Sequence, residues 1–123
     1  MKKLAIVCGL AVSMMAFSAA RAEDAKAEKS VSGVLIDQSC ADKQMGKKNP
    51  EKAAEKHEKS CVQKCGEKAG YAVIEGKKEI KLDSASNDKV KDYLAKDDST
   101  TKVTIKGTEN ADGTLSVASI EKQ

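Results

Sequence analysis

The sequence predicts a mainly β domain with some helix, in which five short strands curl into a small barrel. Three observations predict it. Five short runs rich in Val, Ile, Leu and Thr, at residues 31–37, 71–74, 79–82, 102–106 and 115–120, are bounded by Gly, Asp, Asn and Ser. Aromatic residues make up 2% of the 123 residues and Trp is absent, so the core must be aliphatic, which suits a small barrel. Two segments of helical character interrupt the strands, one after the first and one after the third.

The run 31–37 reads as a buried strand. Residues 37–48 are polar and irregular and contain Cys40. Asn49, Pro50 and Glu51 form a helix start: Asn caps, Pro suits the first helical position, and Glu complements the dipole. That helix is expected over residues 50–65, with Gly66 as its stop. Runs 71–74 and 79–82 flank Glu75, Gly76, Lys77 and Lys78, which reads as a hairpin. Val90, Tyr93 and Leu94 give residues 87–95 one apolar helical stripe. Residues 102–106 alternate, with Val103 and Ile105 inward, and Asp112-Gly113 is a turn signal. In the last strand Leu115 and Val117 share parity and Ile120 does not, which predicts a bulge near Ala118 and Ser119. With the first helix treated as an insertion, the order is that of a five-stranded OB-like barrel. The cysteine-bearing insertion then joins strands 1 and 2, and the short helix joins strands 3 and 4. The competing architecture is an open sheet with two helices on one face.

Lys2 and Lys3, the apolar run 4–16 and Ala20-Arg21-Ala22 have the layout of a secretory signal peptide cut after Ala22. The apolar run is short of the roughly 20 residues a membrane span needs. The expected organisation is therefore a signal peptide over 1–22, a flexible lead-in over 23–30 and an OB-like domain over 31–123, in a periplasmic or secreted bacterial protein. Cleavage removes Lys2, Lys3 and Arg21 and no acid, leaving 19 basic and 19 acidic residues. A neutral chain with Tyr71 and Tyr93 as its mature rings lacks the basic surface and stacking platform of a general nucleic-acid binder. The expected partner is a protein or small ligand, with no nucleic acid and no membrane span.

Three cysteines remain after cleavage: Cys40, Cys61 and Cys65. His57, Cys61 and Cys65 are spaced by four and fall on one stripe of the expected helix, with Cys40 in the preceding loop. Two fates stay open. In an oxidising compartment a disulfide of Cys40 with Cys61 or Cys65 would staple the loop, adding about 3 kcal/mol, and leave one thiol spare. That odd cysteine would permit a homodimer. Alternatively, Cys40, His57, Cys61 and Cys65 form a Cys3His set for Zn(II) or Cu(I). A disulfide between Cys61 and Cys65 is disfavoured, because helical neighbours at this spacing stand about 5–6 Å apart at Cβ.

No catalytic residues and no enzyme activity are expected. Thioredoxin-like chemistry wants C-x-x-C near a helix start, and covalent haem wants C-x-x-C-H; neither spacing is present. A His57–Cys61 nucleophile pair has no evident orienting acid, which leaves a thiol enzyme as the remote alternative.

Five segments carry a resemblance: Gly33-Val-Leu-Ile-Asp37-Gln-Ser-Cys40, Cys61-Val-Gln-Lys-Cys65-Gly66, Tyr71-Ala-Val-Ile-Glu-Gly76-Lys77, Val103-Thr-Ile-Lys-Gly107-Thr108 and Gly113-Thr-Leu-Ser-Val-Ala-Ser-Ile120. Together they resemble small exported bacterial OB-fold-like proteins of uncharacterised function. The resemblance implies an exported OB-like domain with no established activity. The expected function is an exported binding or accessory module, its cysteine loop stapled by a disulfide and open to a soft metal. The alternative is a purely structural, disulfide-stabilised envelope protein.

Overall fold

The computed structural model describes residues 28–123. The expected signal peptide, Cys8 and most of the lead-in lie outside the described residues. The elements are β1 (Glu28–Asp37), α1 (Gln38–Met45), α2 (Pro50–Glu55), α3 (Lys59–Ala69), β2 (Tyr71–Glu75), β3 (Lys78–Lys81), α4 (Asn87–Leu94), β4 (Lys102–Glu109) and β5 (Leu115–Lys122). A short 3-10 turn, Ser84–Ser86, leads into α4.

The strands form one antiparallel sheet in the order β3-β2-β1-β4-β5. β1 is shared between two neighbours. Its first part, Glu28 to Val34, pairs with β4, and its last part, Val34 to Asp37, pairs with β2. The strand thus begins three residues inside the expected lead-in, because Glu28, Lys29 and Ser30 pair with Thr108, Gly107 and Lys106. The expected strand order and both helical insertions are present. So is the predicted bulge: Ser119 faces Lys106 and Val117 faces Gly107, which leaves Ala118 without a partner between them.

The expected barrel closure is corrected. The sheet keeps two edges, β3 and β5, and between them only Leu82 and Leu115 form an isolated parallel bridge. The OB-like closed barrel is therefore not the observed fold. The physical reason is length. β3 ends at Lys81, and the chain turns at once into the 3-10 turn and α4, so no run of backbone remains to build a ladder with β5.

Side chains add to the single backbone bridge at this corner. The Asp83 carboxylate accepts hydrogen bonds from the Ser86 backbone N–H (3.0 Å), the Ser86 hydroxyl, the Asn110 amide (3.1 Å) and the Ser116 hydroxyl. Burial pushes the Asp83 carboxyl up, but the bonds from Ser116, Ser86 and Asn110 outweigh it and hold it below the usual carboxylate range. With the folded pKa depressed, this stabilisation is present above the unfolded value and lost as pH falls through the folded one. Asp83→Ala is expected to cost about 2 kcal/mol at neutral pH, the value of charge-assisted bonds left unmade. The gap from wild type should shrink in acid; urea denaturation at both pH values measures it, and an equal gap at both would refute the linkage.

The sheet carries apolar packing on both faces. One face buries Val31, Leu35, Tyr71, Val73, Val103 and Ile105 against Val62 of α3 and Val90, Tyr93 and Leu94 of α4. The opposite face buries Val34, Ile36, Ala72 and Ile74 against Ala41 of α1 and Ala54 of α2. Burial on both sides explains why Val34–Ile36 of β1 and Tyr71–Ile74 of β2 read as unbroken apolar runs rather than alternating ones.

That division also corrects the expected single helix over 50–65. α2 buries Pro50 and Ala54, and α3 buries Val62 and Gly66. Ala54 belongs to one face and Val62 to the other, so one straight helix cannot serve both. The chain breaks at residues 56–58 and crosses between faces there. Gly66 is not the stop either. α3 continues to Ala69, and Gly70, at φ +81°, ends it in a conformation that favours glycine.

Candidate metal centre

The site forms where β1 ends and the broken helix crosses the sheet. Asp37 is the last residue of β1 and the N-cap of α1. It is fully buried. Its Oδ2 accepts from the Cys40 backbone N–H at 2.9 Å and from the Ser39 hydroxyl. This is how an Asp three residues ahead of a cysteine starts a helix: the carboxylate satisfies an orphan N–H of the first turn. The cap leaves the other oxygen, Oδ1, without a hydrogen-bond partner.

Oδ1 faces His57, whose Nε2 stands 3.6 Å away. That exceeds hydrogen-bond length. Both atoms are buried and have no hydrogen-bond partner. His57 occupies the helix break and is anchored by its own N–H, which donates to the Ala54 carbonyl at 2.9 Å. The Cys40 thiol completes the group: one donor atom each from Asp37, Cys40 and His57 lie within 4.8 Å of one another. The three donors differ in kind, a carboxylate oxygen, a thiol sulfur and an imidazole nitrogen, and all three types bind Zn(II). A cluster able to hold a metal ion is therefore present.

The electrostatics are those of a shielded anionic corner. Burial pushes the Cys40 thiol up, the adjacent Asp37 carboxylate pushes it further, the Ser39 hydroxyl pulls it down, and the nearby Cys65 thiol adds a smaller upward push. Burial likewise raises Tyr71, with Glu67 and then Asp37 contributing. A positive ion would relieve such a corner.

Of the residues expected to bind metal, the structure brings Cys40 and His57 together and leaves Cys61 and Cys65 outside the three-residue cluster. Cys61 is exposed and Cys65 half-buried, both on α3. The expected disulfide is corrected: Cys40, Cys61 and Cys65 are all free. The reason lies in the same helix break. Cys40 is not in a loop that folds back on a cysteine stripe; it sits on α1, packed against the Val34–Ile36–Ile74 cluster beside Asp37. Cys61 lies on α3 and faces solvent. The loop is held by the Asp37 cap and by apolar packing instead of a staple.

Asp37 is the residue that sequence reasoning missed. Its signal was there: Asp before Gln38, Ser39 and Cys40 is an N-cap pattern. The helix it starts has one buried residue, Ala41, so no apolar periodicity marked it.

A second buried polar feature adjoins α1. Glu79 of β3 has an unpartnered buried Oε1. Burial raises its carboxyl, and Asp42 of α1 raises it further against a downward pull from Lys81. A folded pKa above the unfolded one contributes stability that is complete below the unfolded value and lost as pH rises through the folded one. Glu79→Gln keeps the shape and removes the charge, so it should raise the melting temperature at neutral pH and leave it unchanged in acid. Thermal unfolding followed by circular dichroism at both pH values checks this; a gain confined to acid would reverse the assignment.

Among the described residues no helix is long and apolar enough to cross a membrane. The resemblance to exported OB-like proteins is set aside, because the sheet does not close as a barrel and the motifs find no counterpart. No family model, no curated protein and no solved structure matches this chain.

Proposed function

We propose that the chain is a small exported metal-binding module that holds one Zn(II) between Asp37 Oδ1, the Cys40 thiolate and His57 Nε2. The observation that carries this reading is the 3.6 Å gap between two buried, unpartnered atoms, Asp37 Oδ1 and His57 Nε2. A tetrahedral ion with bonds of about 2.0–2.3 Å holds its donors roughly 3.3–3.8 Å apart. The gap suits donors bridged by an ion better than donors bonded to each other. The carboxylate favours Zn(II) over Cu(I), which prefers sulfur and nitrogen alone. Three protein donors leave one coordination position for water or an incoming ligand. We assign the protein to the periplasm or the outside of the cell on the signal-peptide layout of residues 1–22. Its role there is that of a binding or accessory protein, not an enzyme. A homodimer through the odd cysteine would form at Cys61, the exposed thiol.

The test is zinc stoichiometry and affinity on reduced mature protein, by native mass spectrometry and competition with a chromophoric chelator. Wild type should take up one ion. Cys40→Ser and His57→Ala should each weaken binding by about tenfold or more, as loss of a direct ligand requires. Equal affinity in wild type and Cys40→Ser would refute the site, whereas stronger retention of Cu(I) than of Zn(II) would change the metal.

A further inference from the structure

His57 stands between the candidate metal centre and solvent. Its Nε2, on the Asp37 side, is buried, yet 22% of the side chain is exposed. The exposed part of the ring lines an open cavity of about 360 Å³, together with Gln44, Lys47, Ala53 and Lys56. Gln44 belongs to the last turn of α1, Lys47 follows that helix, Ala53 lies on α2 and Lys56 is its C-cap. No carboxylate lines the cavity. Among the described residues neither Lys47 nor Lys56 has an ion-pair partner. The C-terminal ends of α1 and α2 border the cavity, and each contributes about half a negative charge. The two lysines exceed that by about one positive unit, which a single carboxylate cancels. Two atoms of the wall also lack partners. Gln44 Oε1 is a buried acceptor without a donor. His57 Nδ1 is bonded by no protein group among the described residues. A ring that holds a metal through Nε2 carries its proton on Nδ1, and ligating imidazoles donate that proton to a carboxylate, a carbonyl or water.

We propose that this cavity is a subsite for a small hydroxycarboxylate, seated on the solvent side of His57 beside the metal. The proposal rests on the metal reading of the Asp37–Cys40–His57 cluster. The carboxylate accepts from His57 Nδ1–H and meets Lys47 and Lys56, and the hydroxyl donates to Gln44 Oε1. An ammonium group could make that last bond, but it would bring a third positive charge beside the two lysines. Binding is coupled to the ion. Without it, the Asp37 carboxylate repels a second carboxylate across the ring. With Zn(II) in place, Asp37 and the Cys40 thiolate cancel its two charges, and the ring proton is fixed on Nδ1. By linkage, the carboxylate tightens the metal by the same factor as the metal tightens the carboxylate.

The experiment titrates lactate into the reduced mature chain, zinc-loaded and zinc-free, at constant ionic strength. Nitrogen NMR follows the imidazole of His57, the chain's single histidine. Zinc should shift Nε2. Lactate should then shift Nδ1 and bind the zinc-loaded chain about fivefold more tightly than the zinc-free one. Propionate, which lacks the hydroxyl, and alanine should each bind about fivefold more weakly than lactate, the value of one hydrogen bond. Gln44→Leu should erase the preference for lactate over propionate. Lys47→Gln/Lys56→Gln should weaken lactate by about tenfold, the upper end for two exposed pairs. Lys106→Gln/Lys122→Gln, which removes the same charge from exposed positions on β4 and β5, should change nothing. A zinc response at Nε2 with no lactate response at Nδ1, or lactate binding indifferent to Lys47 and Lys56, would overturn the subsite and leave the metal site standing. Equal binding of lactate and propionate would overturn the hydroxycarboxylate assignment. No zinc response at Nε2 would overturn both readings.

Discussion

Asp37→Ala is expected to destabilise the metal-free protein by about 3 kcal/mol and to abolish its stabilisation by zinc. The first effect comes from the cap. Asp37 Oδ2 accepts the Cys40 N–H and the Ser39 hydroxyl in a fully buried position. Loss of an N-cap costs about 1 kcal/mol, and a hydrogen bond to a charged group about 1.5–3 kcal/mol. The buried, unpartnered Oδ1 limits the loss, because removing it also removes an unsatisfied acceptor. The second effect is mass action. A ligand present at a hundred times its dissociation constant stabilises the folded state by about 2.7 kcal/mol, and a chain that has lost its carboxylate donor forgoes this. Asp37→Asn separates the two. Its amide oxygen still accepts the Cys40 N–H, so the metal-free protein should stay within about 1 kcal/mol of wild type. The zinc-dependent rise in melting temperature should nevertheless disappear. Urea and thermal denaturation of both variants, with zinc and with chelator, measure these terms. A zinc-dependent shift retained in Asp37→Asn would remove Asp37 from the donor set.

Gly66→Ala is expected to destabilise the fold by about 2 kcal/mol or more, against the direction of helix propensity. Gly66 lies inside α3, where alanine would gain about 1 kcal/mol if the position were open. It is not open. A Cβ there would stand 1.9 Å from Tyr71 Cε1 and 2.4 Å from Cζ. Tyr71 is fully buried, so its ring has no free direction in which to retreat. Overpacking of this kind costs about 1–3 kcal/mol, and more where neighbours are rigid. Tyr71→Leu shortens the obstructing ring. The double variant Gly66→Ala/Tyr71→Leu should therefore lose less than the two single losses combined. Equilibrium urea denaturation of the four proteins completes the cycle. A single variant as stable as wild type, or strictly additive losses, would show that the contact is slack.

The helix break at residues 56–58, where the chain passes from one face of the sheet to the other, bears on both: it carries His57 of the three-residue cluster, and α3 with Gly66 begins just after it. Read along the sequence, His57, Cys61 and Cys65 look like one stripe. In the fold the break separates them: His57 turns to Asp37 and Cys40, and the two α3 cysteines are left outside the cluster. Gly66 reads as a helix stop because glycine favours helix ends, whereas in the fold it is a contact point for Tyr71.

The sequence by itself determined the strands, the hairpin, the second helical connection and the bulge at Ala118. These follow from local chemistry: β-branched runs, turn residues and parity along a strand, each legible within a few neighbours. Cys40 and His57 were also legible as ligand types. The tertiary structure alone decided three things. It left the sheet with two edges, because the chain after Lys81 turns into α4 before β3 can meet β5 beyond Leu82 and Leu115. It split the long helix, because Ala54 and Val62 pack on opposite faces of one sheet. It made Asp37 a site residue and kept the cysteines free, because a buried N-cap and a chain crossing meet at the end of β1. These depend on which face each residue packs against, and no local pattern in the chain encodes that.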